Sequence, residues 1–258
     1  MIKKTIFTLN INDHAKEITD LTYPLIKYYA HKIGADFHII KERRFPEFPI
    51  TYEKLQIFEL AQEMQNDWNI YIDSDALVHP EMVDWTAFMK KDTIAHNGSD
   101  MANIRWRYDK YFLRDGRNWG SCNWMTIASD WCVDLWHPLE LSVAEALDNI
   151  YPTAREHNTV VTTDHLIDDY ALSRNVARYG LKTVKLQELQ KEIGLGDAFF
   201  LWHEYLRSID EKLKGWDEKV FDANLQTERT IHISGVKEIL KLWQIPKFIR
   251  EYGTTLDN

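Results

Sequence analysis

The arrangement of apolar and polar positions is clearest in the first third of the chain. Residues 5–9, Thr-Ile-Phe-Thr-Leu, are a short β-prone run ending in polar residues 10–13, which predicts a strand and the loop at its C-terminal end. Ile18, Leu21, Leu25, Ile26, Tyr29 and Ile33 then recur at helical spacing. They predict a helix over 15–33, broken or kinked near Thr22 by Pro24 and closed by Gly34 as C-cap. Residues 37–40 read as a second strand, so the opening is a βαβ unit. Leu55, Phe58, Leu60, Ala61 and Met64 predict a helix over 52–64, with Lys54 in its first turn. It runs into Ile70-Tyr71-Ile72, a buried strand that ends in Asp73-Ser74-Asp75.

Further on, the pattern predicts a helix over 81–91, a strand over 93–96, a strand over 122–128 and a helix starting within 130–136. Between them, Arg105, Trp106, Arg107, Tyr108, Tyr111, Phe112, Arg114 and Arg117 show no period, which suits a surface loop or a lid beside a ligand. Helices are expected over 139–150 and 159–176, with Thr163 as N-cap and Asp164 in the first turn, where its charge favours the helix dipole. Residues 182–186 read as a strand and 188–222 give no clear element. Residues 230–237 read as a short strand ending in a turn, and 239–252 as a helix interrupted by Pro246.

An apolar fraction of 45% over 258 residues excludes a disordered chain and suffices for one large α/β domain or two closely fused halves. The net charge of −9 argues against nucleic acid or an anionic membrane as the main partner. Cys122 and Cys132 make no disulfide framework and no metal-binding spacing, so free thiols in a reducing compartment are expected. The apolar run at 5–9 is too short for a signal-peptide core or a bilayer span, which points to a cytoplasmic protein without a transmembrane segment. Oligomeric state is not legible.

Asp73-Ser74-Asp75 carries the chemistry. By itself an Asp-x-Asp is a short pattern, common at turns and caps. Here it ends an apolar strand, the place where open α/β sheets bind ligands. Residues two apart on an extended strand point the same way, so Asp73 and Asp75 can offer hard oxygen ligands to one divalent cation. Lys54 is either a solvated side chain or one that reaches an anion. A rival reading is a haloacid-dehalogenase-like phosphatase or phosphotransferase, with Asp73-x-Asp75 as nucleophile and acid and Asp168-Asp169 as later metal ligands. Against it, the motif follows a complete βαβ unit rather than the first strand. A catalytically silent nucleotide-sugar-binding domain is a second rival.

Taken in order, these segments resemble the GT-A nucleotide-sugar glycosyltransferases, most nearly the glycogenin and bacterial galactosyltransferase group, glycosyltransferase family 8. The resemblance rests on the Lys54-Leu55 helix leading into Asp73-x-Asp75, on Asn118-x-Gly120, on Asp164-His165, and on His232-Ile233-Ser234-Gly235-Val236-Lys237. His165 stands where the group has Gln, the late Lys comes one residue early, and Glu238-Ile239 replaces the group's Pro-Trp. The resemblance implies a single GT-A domain over 1–258, a Rossmann-like mixed sheet flanked by helices. Its nucleotide-binding half would span about 1–100, and an acceptor-side half about 101–258. It implies that Asp73, Asp75 and His232 hold Mn²⁺ or Mg²⁺, with imidazole favouring Mn²⁺. It further implies that Thr8, Leu9 and Asn10 hold base and ribose, and that Lys54, Ser74, Gly235 and Lys237 meet the donor. Asn118 and Asp164 would hydrogen-bond the sugar, Asp164 near the anomeric carbon. The activity implied is transfer of a hexose from a nucleotide sugar, UDP-linked, to a hydroxyl of a glycan, lipid or protein acceptor, with retention.

Overall fold

Among the described residues, six strands form one mixed sheet in the order β2-β1-β3-β5-β4-β6. They are β1 (Lys4–Leu9), β2 (Asp36–Ile40), β3 (Trp68–Ile72), β4 (Thr93–His96), β5 (Met125–Ser129) and β6 (Lys182–Lys185). The computed structural model describes residues 2–13, 16–97, 124–147, 167–194, 236–237, 240–241 and 243–254. β2, β1 and β3 run parallel, β5 runs antiparallel to both β3 and β4, and β6 is parallel to β4. β3 and β5 are buried along their whole length, as expected of strands covered on both faces, whereas the marginal strands β2 and β6 carry Asp36, Lys182 and Lys185.

The chain divides into two compact units interleaved in sequence: Met1–Asn12, Ala35–Asp73 and Asp84–Leu195 form one, Asp13–Gly34, Ser74–Val83 and Gly196–Asn258 the other. The whole sheet belongs to the first. On one of its faces Phe7, Tyr71, Ile94 and Ala128 pack with Ile57 and Leu60 of α2 (Ile57–Met64), Leu135 and Trp136, and Leu172 and Val176 of α3 (Ile167–Arg178). A second apolar cluster joins Phe48, Tyr52 and Leu55 to Ala146 and to Ile167, Tyr170 and Ala171 of α3. Within it the Tyr52 ring stacks on Phe48 at 4.0 Å, and its hydroxyl accepts a bond of 2.7 Å from the Leu139 N–H.

In the second unit α1 (Lys16–Ile33) holds the segment that follows the Asp-x-Asp motif. The Thr22 hydroxyl donates to the Ser74 carbonyl, the Tyr29 hydroxyl to that of Val83 (2.9 Å), and the Lys32 ammonium to those of Pro80 (2.9 Å) and Met82 (3.1 Å). The Lys27 ammonium donates to the Gly253 carbonyl (3.1 Å), just after α5 (Lys247–Arg250). The expected break at Pro24 does not occur: α1 is one continuous helix, with Pro24 on its buried side. A proline inside a helix costs about 3 kcal/mol. Burial of Ile18, Leu25, Ile26 and Tyr29 on one stripe contributes about 1.5–3 kcal/mol for each side chain and outweighs it. Gly34 closes the helix at φ +66°, as its position predicts.

Other elements differ from expectation for local reasons. The helix expected over 52–64 is a 3-10 segment, Ile50–Gln56, followed by α2. Every residue from Tyr52 to Gln56 is buried, so this stretch has no solvent face for an amphipathic period to mark. The helix expected over 81–91 shrinks to a 3-10 turn, Trp85–Ala87. Asp84 pairs with Lys4 and caps Thr86 through its N–H (3.2 Å) and hydroxyl (2.7 Å), a local arrangement that competes with a longer helix. Residues 130–136 are also 3-10, opened by the Ser129 side chain. Residues 143–147 are helical behind a Ser142/Glu145 capping box, in which Glu145 Oε2 accepts from Ser142 N at 2.8 Å and Ser142 Oγ from Glu145 N at 3.3 Å. β6 gives way directly to α4 (Leu186–Glu192), where no element was expected. Near the C-terminus Pro246 occupies the N-cap position of the short α5. Of the strand expected over 230–237, only 236–237 are described, and they are helical. Among the described residues no helix is long and apolar enough to cross a membrane.

α2 ends on Gln65, whose backbone is left-handed (φ 54°, ψ 48°), with Asn66 N–H bonded to the Ala61 carbonyl at 3.1 Å. A side chain is disfavoured in that conformation. Gln65→Gly is therefore expected to stabilise the protein by about 0.5–1 kcal/mol, measured by urea denaturation. A loss of stability would show that the Gln side chain contributes more than its backbone strain costs.

Candidate functional site at the end of the central strand

β3 delivers Asp73 one residue past its last paired position, and the Asp73 N–H still bonds to the Trp124 carbonyl at 2.9 Å, carrying the β3/β5 pairing one step further. Two residues before it, Tyr71 points to the face packed by α2 and α3. Its hydroxyl donates to Asp73 Oδ1 at 2.6 Å, fixing one oxygen of the half-buried carboxylate. The Lys54 ammonium lies 4.9 Å from the centre of the Tyr71 ring, a cation–π contact shielded from water.

Lys54 is not the solvated side chain that its place in a first turn allows. It is buried, and its Nζ pairs at 2.7 Å with Oδ2 of Asp168, also buried. Asp168 Oδ1 in turn accepts from the Thr51 hydroxyl at 3.2 Å. Burial alone would lower the Lys54 pKa. Asp168, then Asp73, then Asp169 more than offset it, and the ammonium is held above the usual lysine range. Asp168 and Asp169 sit in the first described turn of α3, where carboxylates favour the helix dipole.

The result is a buried polar cluster drawn from the 3-10 segment, from the end of β3 and from α3. Three carboxylates, Asp73, Asp168 and Asp169, surround one ammonium, a formal excess of two negative charges built from hard oxygen donors. That balance fits a divalent cation. Among the described residues, no group of three or more His, Cys, Asp or Glu side chains is gathered closely enough to hold a metal by itself.

Of the residues singled out by sequence, Lys54 and Asp73 come together here. Thr8, Leu9 and Asn10 lie at the C-terminal end of β1, whose parallel pairing with β3 sets Phe7 beside Tyr71. All three are buried; Leu9 belongs to the apolar core, and Thr8 Oγ1 has no hydrogen-bond partner among the described residues. Ser74 and Asp75 follow as a half-buried turn in the second unit, where Lys237 is exposed beside fully buried Val236. Asn118, Asp164, His232 and Gly235 lie outside the described residues. Sequence reasoning missed Thr51 and Tyr71. It weighed Asp168 and Asp169 only as ligands in a phosphatase. The available signal was two successive acids set between Ile167 and Tyr170-Ala171-Leu172, an apolar context that argues for burial.

No protein-family model matches the chain, and no curated protein matches it. Among solved structures it is similar to a glycosyltransferase involved in the glycosylation of the major capsid of PBCV-1, at 14% identity and a TM-score of 0.40, over 71% of this chain and 81% of that one. It is also similar to A197 from STIV, at 12% identity and a TM-score of 0.38, over 72% of this chain and 82% of that one.

Proposed function

We propose that this protein is a metal-dependent glycosyltransferase that moves a hexose from a UDP-linked donor to an acceptor hydroxyl, with retention. The observation that supports this most is the negatively charged cluster around Lys54 at the C-terminal end of β3, joined in sequence to the Asp-x-Asp motif. Asp73 and Asp75, with His232, would hold Mn²⁺ or Mg²⁺, and the bound cation would supply Lewis-acid neutralisation of the charge that builds on the departing diphosphate. Lys54 would add a second positive charge on the donor side, shielded from water by Tyr71 and the packed 3-10 segment. Thr8, Leu9 and Asn10 would meet base and ribose, Ser74 and Gly235 would approach the phosphates through backbone, and Lys237 would add charge there. Asn118 and Asp164 would orient the sugar by hydrogen bonds to its hydroxyls. The donor diphosphate would take the acceptor's proton, so no separate base is required.

The test is incubation with each nucleotide sugar and Mn²⁺, with release of free nucleotide followed by mass spectrometry. Slow hydrolysis of one UDP-hexose, together with a thermal shift on adding UDP and Mn²⁺, supports the proposal. A thermal shift without turnover on any donor or acceptor indicates a binding domain instead. The pairing of Lys54 with Asp168, next to Asp169 and Asp73, also suits phosphoryl transfer with Asp73 as nucleophile. Release of inorganic phosphate from a phosphomonoester, with no nucleotide-sugar turnover, would favour that reading.

A further inference from the structure

We propose that Asp168 is a positioning residue that holds the Lys54 ammonium off Asp73, and so keeps Asp73 open to a divalent cation; the inference rests on the cation reading above. Lys54 has no route to water and must pair with a carboxylate. Two attract it most strongly: Asp168, which it contacts at 2.7 Å, and Asp73. Both oxygens of Asp168 are engaged, Oδ2 by Lys54 and Oδ1 by Thr51, so the carboxylate is held in place to receive the ammonium. Asp73 is held just as firmly, through the Tyr71 hydroxyl, and Lys54 lies over the ring of that same tyrosine. Without the Asp168 charge, the nearest strong partner left for Lys54 is Asp73. The chain's own ammonium would then take the carboxylate that the cation needs. Asp169 adds to the attraction on the Asp168 side and reinforces the separation.

The experiment titrates Mn²⁺ alone into the protein and follows free Mn²⁺ by its electron paramagnetic resonance signal. Asp168→Asn is expected to weaken Mn²⁺ binding by about tenfold or more, because a unit charge moves onto a ligand of the metal. The double variant Lys54→Met/Asp168→Asn removes both charges at similar volume and is expected to return to within about threefold of wild type. A purely structural role for Asp168 would leave the double variant as weak as the single one, and that result overturns the proposal. Asp168→Asn binding as tightly as wild type overturns it too. Should Asp168→Asn fail to fold by circular dichroism, Lys54→Met decides: tighter Mn²⁺ binding than wild type supports the proposal, and unchanged binding overturns it. Wild type that binds Mn²⁺ no better than Asp73→Asn removes the cation reading itself, and this inference with it. Wild type that binds Mn²⁺ well while the variant arms fail removes the inference alone.

Discussion

Replacing Glu53 with alanine is expected to destabilise the protein by about 3–5 kcal/mol, seen as a lower urea midpoint with an unchanged slope. The Glu53 carboxylate is fully buried and accepts from Arg43 Nε (2.8 Å), Arg44 N (2.9 Å), Phe45 N (3.1 Å) and Gln56 Nε2 (2.7 Å). Alanine would leave a guanidinium and two backbone N–H groups without their acceptor in a place that water reaches poorly. Arg43 Nη2 also donates to the carbonyls of Phe45 and Pro46, both at 3.0 Å, so the loop after β2 is wound around this one pair. Glu53→Gln keeps the shape and part of the hydrogen bonding and is expected to cost less. A loss under about 1 kcal/mol for Glu53→Ala would mean that the loop relaxes and finds other acceptors. Because Glu53 and Lys54 are consecutive on the same 3-10 segment, loosening the first should also disturb the second.

Asp73→Asn is expected to lower Mn²⁺-dependent release of UDP from its sugar donor by about 10³-fold while the fold survives, and Asp75→Ala to do the same. Asparagine keeps an oxygen for the Tyr71 hydroxyl that now donates at 2.6 Å, so the end of β3 need not rearrange. What is lost is a negative charge and a metal ligand. Removing one carboxylate from a crowded acidic cluster also relieves repulsion when no cation is bound, so thermal stability should hold or rise slightly. Turnover is measured as nucleotide release under saturating Mn²⁺, beside a circular dichroism melt. Undiminished turnover in either variant would refute the glycosyltransferase assignment.

The opening βαβ unit and β3 were legible because their apolar runs are long, and because Gly34 marks the end of a helix. The 3-10 segment before α2 was not. Glu53, Lys54 and Gln56 look like a solvated helix face in sequence, yet all three are buried and satisfied by partners that no local pattern reveals. Glu53 binds a loop ten residues back, and Lys54 binds a carboxylate on α3, more than a hundred residues away. Long-range pairing of this kind leaves no period to detect. The Asp-x-Asp motif was legible for the complementary reason, since two carboxylates at the end of an apolar strand break the pattern around them. The shortened helix near Trp85 failed as a prediction because Asp84 reads as a first-turn acid and instead acts as a cap.

The two margins of the sheet bear on how the protein behaves at high concentration. Each ends in a short strand, five residues in β2 and four in β6, and β6 reads Lys-Thr-Val-Lys with Lys182 paired to Asp92. A second chain adding itself along β6 would have to bring like charges into register, which discourages fibril-like stacking at that border. The lysines of β6 thus guard against self-association.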